Sequence, residues 1–192
     1  MRRWLSGAAA LLMLSACADR PVAPAAGQVR IAPELVMALP SPAELGRSLE
    51  ATQLVTAHYG DRTFVFEGHL SATPERFLLV CLDAMGRKAL TISWSASGIA
   101  AEAAPWIPAE LRPDNMLADM VLLYWPEASV RRLLAPAAGT LVSGPRSRSV
   151  RVDGKEIVHA DYATADPWTG SLSYRNLPLG YALEIQSVEV FR

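Results

Sequence analysis

Residues 77–94 read FLLVCLDAMGRKALTISW, and the architecture of the chain can be worked out from this stretch. It holds two runs of strand-forming residues, 77–82 and 87–94, joined by the turn-forming sequence Asp83-Ala84-Met85-Gly86. In the second run apolar and polar residues alternate, which is typical of a strand with one face in the core and one in water. The first run is apolar throughout, so we expect a central strand covered on both faces.

Strand patterns continue on both sides of this hairpin. A Tyr59-Gly60-Asp61-Arg62 turn and an Asp153-Gly154 turn each join two further runs of strand-forming residues. The predicted strands are residues 52–58, 63–70, 77–82, 87–94, 98–103, 140–143, 147–153, 155–162, 170–174 and 181–190. We therefore predict a mainly β fold with a helical cap, an antiparallel and incomplete half-barrel of about ten strands covered by short helices.

Three segments carry helix signals. Ser41-Pro42-Ala43-Glu44 is a capping box with proline at the first helical position, and it predicts a helix over 42–50, which could cover the second face of strand 77–82. Apolar residues recur at helical spacing over 113–125 and again over 127–134, with Pro126 between the two segments. Because these two helices interrupt the strand pattern, we expect them to cap the sheet.

A sheet of this length has to curl, and two short helices supply little side-chain volume to fill its inner face. The sequence therefore predicts an apolar ligand cavity beneath the helices, with helix 113–125 as a movable lid. The expected lining residues are Phe64, Phe66, Leu79, Leu90, Ile92, Trp94, Met120, Tyr181, Leu183 and Ile185. The alternative is a solid core in which helices and sheet meet directly, and the pattern alone leaves both open.

The beginning of the chain has the pattern of a secretory signal peptide: a charged start, an apolar stretch and small residues before Cys17. Leu14-Ser15-Ala16-Cys17 resembles the bacterial lipobox, which implies that Cys17 carries fatty acyl chains such as palmitate and begins the mature chain. Ala18 follows, which by resemblance to Gram-negative lipoproteins favours the outer membrane, with the domain facing the periplasm. An ordinary signal peptide with a coincidental cysteine is the alternative. We divide the chain into signal peptide 1–17, tether 18–29 and a single domain 30–192.

The charge of the chain gives no indication of a nucleic-acid partner. The formal net charge is -1, and the basic residues form no dense cluster. Arg146, Arg148 and Arg151 lie close together in sequence, and we interpret them as a solvated face of a strand.

The sequence shows no residue pattern typical of catalysis or of metal binding. If the Gly60-Asp61 turn is tight, His69 pairs near Thr52, so His58 and His69 lie roughly 20 Å apart and cannot share a metal. The sequence contains no Gly-x-Ser-x-Gly elbow, no His-x-x-Glu-His helix motif and no phosphate-binding glycine loop. Cys81 is interpreted as a small buried apolar residue. We expect a protein that is not an enzyme, with no cofactor and no metal site.

A family resemblance supports the same architecture. The lipobox, the proline-bearing tether, the 83–87 turn and the helical insertion resemble the outer-membrane lipoprotein acceptor LolB and its soluble relative LolA. More closely, residues 104–106 (APW), 111–119 (LRPDNMLAD), 124–126 (YWP) and 180–185 (GYALEI) are similar to a family of bacterial lipoproteins often encoded with aryl polyene biosynthesis genes.

The resemblance to LolB implies an open, incomplete β-barrel whose helices cap an apolar cavity for acyl chains. It also implies that Met85 takes the place of a leucine at a turn that inserts into the membrane. The alternative for Met85 is that its flexible side chain folds back onto the sheet.

These expectations combine into one hypothesis, an outer-membrane-anchored lipoprotein that binds an acyl or polyene-lipid chain and helps deliver it to the membrane. The expected partners are that lipid ligand, the membrane through the N-terminal anchor, and periplasmic carrier or biosynthetic proteins. We expect the domain to be a monomer. Two alternatives are a non-catalytic envelope interaction or assembly module with a closed core, and a lipid esterase or thioesterase.

Overall fold

The structure is a computed structural model that describes residues 27–107 and 111–190. Its strands are β1 Gln28–Ala32, β2 Leu35–Ala38, β3 Leu49–Tyr59, β4 Arg62–Ala72, β5 Arg76–Asp83, β6 Lys88–Ser95, β7 Gly98–Ala103, β8 Gly139–Gly144, β9 Ser147–Val152, β10 Lys155–Tyr162, β11 Gly170–Asn176 and β12 Tyr181–Val190. Its helices are α1 Pro113–Tyr124 and α2 Glu127–Leu134, with single 3-10 turns at Pro42–Leu45 and Ala135–Ala137. The predicted signal peptide, Cys17 and most of the predicted tether lie outside the described residues.

Ten strands form one antiparallel sheet in the order β7-β6-β5-β4-β3-β12-β11-β10-β9-β8. The last strand of the chain, β12, returns to pair with β3 in the middle of the sheet. The end strands β7 and β8 do not pair with each other, so the sheet stays open. The predicted fold class, a mainly β chain with an incomplete antiparallel barrel and short covering helices, is confirmed.

Tight turns hold the register of the central hairpins. Tyr59 pairs with Arg62 across the two-residue Gly60-Asp61 loop, and Thr52 faces His69 as the sequence predicts. Asp153 and Gly154 both have positive φ, 49° and 76°, as the tightest hairpin turns require. Local turn chemistry therefore places the strand faces correctly.

Both helices lie on one side of the sheet, which we call the inner face. Every residue of α1 from Leu117 to Tyr124 is buried, and a helix buried all round needs cover on more than one side. The inner face supplies one cover and the β1–β2 hairpin another, because β1 contacts α1 and β2 contacts α2. The predicted movable lid is therefore an enclosed core helix, of which only the first turn, residues 113–116, is half-buried.

The β1–β2 hairpin was not predicted. Val29, Ile31, Leu35 and Met37 are fully or almost fully buried in the core, and β1 starts at Gln28, two residues before the predicted start of the domain. The hairpin is also held to the sheet by Asn176, whose side-chain amide donates to the carbonyl oxygen of Ile31 at 3.2 Å.

The helix predicted over 42–50 is only a single turn, Pro42–Leu45. The capping box is present, but Gly46 adopts a left-handed φ of 78° and ends the turn, so Leu49 opens β3 instead. An ion pair from Glu44 to Arg132 ties this turn to α2. The turn contacts β5, but the outward side chains of β5 are only half-buried, so the second face of this strand is covered only in part.

Within residues 27–107 and 111–190, no helix combines the length and the apolar character that crossing a membrane would require.

Candidate functional site

An apolar cavity of about 370 Å³ lies between α1 and the inner face of the sheet. Its walls come mainly from β3, β4 and β12, with α1 opposite them. Seven of the ten predicted lining residues lie on it: Phe64, Phe66, Leu79, Met120, Tyr181, Leu183 and Ile185. The interior is therefore not the solid core of the alternative interpretation.

The other three predicted lining residues, Leu90, Ile92 and Trp94, do not reach the cavity and are buried in the core. They belong to β6, where Trp125 at the end of α1 fills the space beneath the sheet. The Trp94 and Trp125 ring centroids lie 5.5 Å apart, and each ring also contacts Phe77, at 6.2 Å and 5.9 Å. This aromatic packing corrects the predicted lining on the β6 side.

Small residues on β3 and β4 leave the room that the cavity occupies. Val55, Ala57 and Gly68 line it, and none was singled out from the sequence. A Cβ atom at Gly68 would come 3.2 Å from the Leu79 Cδ1 atom, so a side chain there would crowd the wall. The sequence signal that could have identified them is that these small residues occupy inward positions in strands of alternating pattern.

A buried carboxyl group forms part of the wall. Asp119 of α1 accepts hydrogen bonds from the hydroxyl groups of Tyr174 and Tyr181, both at 2.5 Å. Burial raises the pKa of Asp119 to about 7, and the two tyrosine hydrogen bonds offset only part of that effect. This helical aspartate was not among the predicted site residues, because helical spacing alone does not show which turn faces a tyrosine pair.

A second polar group, Gln53, lies deep in the wall. Its side-chain amide donates to the hydroxyl of Tyr124 at 2.7 Å and to that of Ser187 at 2.9 Å. Tyr124 in turn stacks on Trp168, with ring centroids 4.1 Å apart. These contacts hold the middle of the sheet to α1 and satisfy the amide hydrogens of Gln53 within the protein.

The cavity opens at the end of the sheet where the β3–β4 turn lies. The lining residues His58, Tyr59 and Arg62 at that end are exposed, whereas Gln53, Leu79 and Ile185 at the inner end are buried. Arg112, just before α1, and Leu179, in the β11–β12 turn, lie at the same opening. We refer to this opening as the mouth.

Met85 lies at the same end of the sheet as the mouth. The pairing of Asp83 with Phe66 places the β5–β6 turn roughly 13 Å short of the β3–β4 turn, and both turns point the same way. Met85 is 81% exposed, so it projects away from the sheet instead of folding back. The Asp83 carboxylate holds this turn by accepting from the backbone amides of Met85 and Arg87 at 3.0 and 2.9 Å.

Other apolar side chains are exposed around this end. The guanidinium of Arg87 lies 4.9 Å from the ring centroid of Trp106, which follows β7. We call the group formed by Tyr59, Met85, Trp106 and Leu177 the apolar rim; these residues are 41%, 81%, 47% and 51% exposed. The apolar rim and the mouth therefore share one end of the molecule.

Arg148 does not lie on a solvated face as predicted. It is half-buried, and its guanidinium Nη1 donates to the carbonyl oxygens of Leu122, Leu123 and Trp125 at 2.8 to 3.2 Å. Tyr162 adds a hydrogen bond to the Leu123 carbonyl at 2.9 Å. These donors satisfy the free carbonyls at the C-terminal end of α1 and hold that end in place.

The described residues include no group of three or more His, Cys, Asp or Glu side chains that could hold a metal ion. His58 contacts Thr63, His69 contacts Glu67, and His159 lies near Asp161. Cys81 is buried, and burial raises the pKa of its thiol to about 12, which keeps the thiol protonated at neutral pH.

Comparison with known proteins places most of the chain in one family. Residues 50–189, from β3 to the end of β12, match the sequence profile of a family described as "Protein of unknown function (DUF3261)". The fold is also similar to the crystal structure of a LolA superfamily protein from Nitrosomonas europaea, with 8% sequence identity and a TM-score of 0.45 over 76% of this chain and 86% of that one. No curated protein matched the sequence.

Proposed function

The chain belongs to the DUF3261 family, and from its cavity we propose that it binds one acyl or polyene-lipid chain and helps to place that chain in a membrane. The observation that carries the proposal is the apolar cavity of about 370 Å³ beneath α1. A hydrocarbon chain gains about 25 cal/mol for each Å² of apolar surface removed from water, which favours its entry into such a cavity.

The size of the cavity limits the ligand to one chain. Small-molecule sites usually measure roughly 300–1,000 Å³, and this cavity lies near the lower end of that range. Two of its lining residues are the methionines Met116 and Met120, whose unbranched side chains adapt to ligands of different shape. The cavity therefore suits a single flexible or extended hydrocarbon.

Delivery to a membrane is supported by the position of the apolar rim. Exposed methionine and aromatic side chains at one end of a protein favour contact with the membrane interface. Because the mouth opens at the same end, a bound chain could leave directly into the lipid. Burial in the cavity and burial in a bilayer remove the same apolar surface from water, so transfer requires little driving force.

We further propose that Cys17 carries the acyl anchor and that the domain faces the periplasm from the outer membrane. The lipobox-like sequence before Cys17 supports the anchor. A single acyl chain binds a membrane only marginally, whereas two or more chains give stable attachment. The proposed activity is binding and transfer, with no covalent bond of the ligand made or broken. Periplasmic carriers or biosynthetic proteins would supply the lipid ligand.

The test is to fill the cavity. In the chain from residue 18 onward, Ala57→Phe places a ring between Phe64 and Leu183, the cross-strand partners of Ala57. Native mass spectrometry of the purified wild-type protein should show a co-purified or added fatty acid, and Ala57→Phe should lower its occupancy at least about tenfold because the space is taken.

The matched control is Leu54→Phe, since Leu54 lies on the same strand but is exposed on the outer face. It should keep wild-type occupancy, and thermal unfolding should show that both variants are folded. A wild-type protein that carries no lipid and takes up none would refute the proposal, and equal occupancy in all three proteins would place binding outside the cavity.

A further inference from the structure

The hydrogen-bond donors deep in the cavity already have acceptors within the protein. Both carboxylate oxygens of Asp119 accept hydrogen bonds from Tyr174 and Tyr181. The side-chain amide of Gln53 donates to two hydroxyl groups. An anionic head gains nothing by lying there, because the donors that it would need are already engaged within the protein. The part of the ligand that occupies the inner end is therefore hydrocarbon.

Positive charge gathers at the mouth. Three of the described lining residues are arginines: Arg62 and Arg112 at the mouth, and Arg30 of β1. Arg30 precedes Ile31, whose carbonyl oxygen accepts from Asn176 at the β11–β12 turn, which lies at the same end. Asp119 is the one acidic residue among the described lining residues, and it is held by its tyrosines. Three guanidinium groups therefore lie above an apolar interior, and the Asp114 carboxylate beside Arg112 offsets part of their charge.

Each of these arginines also has contacts within the protein. Arg30 donates to the carbonyl oxygen of Pro33 at 2.8 Å, and Arg112 pairs with Asp114 at 2.7 Å. Arg62 lies over the rings of Tyr59 and Phe64, 5.7 and 5.6 Å from their centroids. These contacts orient the guanidinium groups at the mouth, and a guanidinium has enough donors to bind an anion in addition.

We propose that the ligand is a single-chain amphiphile with an anionic head, a carboxylate or a phosphate, which binds Arg30, Arg62 and Arg112 at the mouth while its hydrocarbon chain extends toward Leu79 and Ile185. This inference rests on the proposed function and names the chemical class of its ligand. Guanidinium groups bind both anions through paired, charge-assisted hydrogen bonds.

The test compares heads on the same chain. Dodecanoate, dodecyl phosphate and dodecanol compete with fluorescent cis-parinaric acid for the chain from residue 18 onward. At least one of the two anions should bind about tenfold or more tightly than dodecanol, because a hydrogen bond to a charged group contributes about 1.5–3 kcal/mol. Which anion binds more tightly identifies the head.

The variants are R30Q and R112Q, alone and combined, with R175Q as the control. Arg175 is an exposed arginine on β11 that does not line the cavity. The combined variant should reduce the preference for the anions to about threefold or less, and R175Q should leave it unchanged. A second measurement needs no variant: anion affinity in the wild-type protein should fall as salt rises, and dodecanol affinity should not.

The outcomes separate the two proposals. If dodecanol competes as well as both anions, the anionic head is refuted while lipid binding stands. If neither parinaric acid nor any of the three competitors binds, both proposals fail. If the anion preference persists in the combined variant and does not respond to salt, the mouth arginines do not hold the head.

Discussion

At the scale of single residues, Asp119 is a buried carboxyl group whose pKa lies close to neutral pH. Its carboxyl group is buried against Tyr174 and Tyr181, and its pKa rises from the ordinary value of 3.8 to about 7. At a pH between these two values, the Asp119 carboxyl group is protonated in the folded protein and ionised in the unfolded chain. The stability that this proton supplies is fully present below the lower value and is lost as pH rises through the higher one.

We therefore expect the melting temperature of the wild-type protein to fall as pH rises from about 5 to about 8, and Asp119→Asn to flatten that fall. Over this pH range the melting temperature of the wild-type protein should fall by roughly 5 °C more than that of Asp119→Asn. About 1 kcal/mol shifts the melting temperature of a domain of this size by about 2–4 °C. Thermal unfolding followed by circular dichroism measures it. Parallel pH profiles for the two proteins would show that Asp119 does not hold the proton.

At the scale of elements, the C-terminal end of α1 depends on a strand that is distant in sequence. The helix ends before Pro126, and its last carbonyls are satisfied by Arg148 of β9 and by Tyr162 of β10. This link sets where α1 lies on the sheet, and hence where Trp125 fills the inner face and where the cavity begins. The position of the helix is thus a property of the β9–β10 hairpin as much as of the helix itself.

Arg148→Met should lower the free energy of unfolding by about 2 kcal/mol, because three half-buried carbonyls lose a charged donor. Urea denaturation measures the change. Arg151→Met is the matched control on the same strand, since Arg151 is exposed and its nearest carboxylate, on Glu156, is 3.9 Å away. The control should change stability by less than about 0.5 kcal/mol, and equal losses would show that Arg148 has no special role.

At the scale of the whole molecule, one end combines the mouth with the apolar rim. If this end meets the membrane, the double variant Met85→Asp, Trp106→Asp should bind vesicles about tenfold more weakly, because two apolar side chains no longer enter the interface. The experiment uses the unanchored chain from residue 18 onward and vesicles of phosphatidylethanolamine and phosphatidylglycerol. Sedimentation with vesicles measures it. Val188→Asp is the control, since Val188 is 66% exposed on the outer face of β12, away from the mouth. A similar loss in the control would place the contact elsewhere.

The sequence predicted what depends on neighbouring residues. Alternation and two-residue turns set the strands, their register and their inward faces, so Phe64, Phe66, Leu183 and Ile185 were placed on the cavity from the pattern alone. The same pattern was enough to predict an open sheet with covering helices, since the two helices lie between the first five and the last five strands of the ten-stranded sheet.

What the sequence could not show depends on distant contacts. Trp94 alternates inward as predicted, but whether an inward residue meets a cavity or a ring is decided by the end of α1, which Arg148 holds. The β1–β2 hairpin has strands of only five and four residues beside a proline-rich segment, so its pattern was too short to recognise. Its burial depends on covering α1, which local sequence does not reveal.

The unjoined strands β7 and β8 have a consequence for what the protein can accommodate. In a closed barrel the number of strands and their stagger fix the circumference, so the interior cannot widen without breaking a ladder of hydrogen bonds. Here β7 and β8 are not paired, so no closing ladder of hydrogen bonds fixes the curvature of the sheet. The curvature, and with it the width of the cavity, is therefore set by the side chains that pack α1 against the inner face.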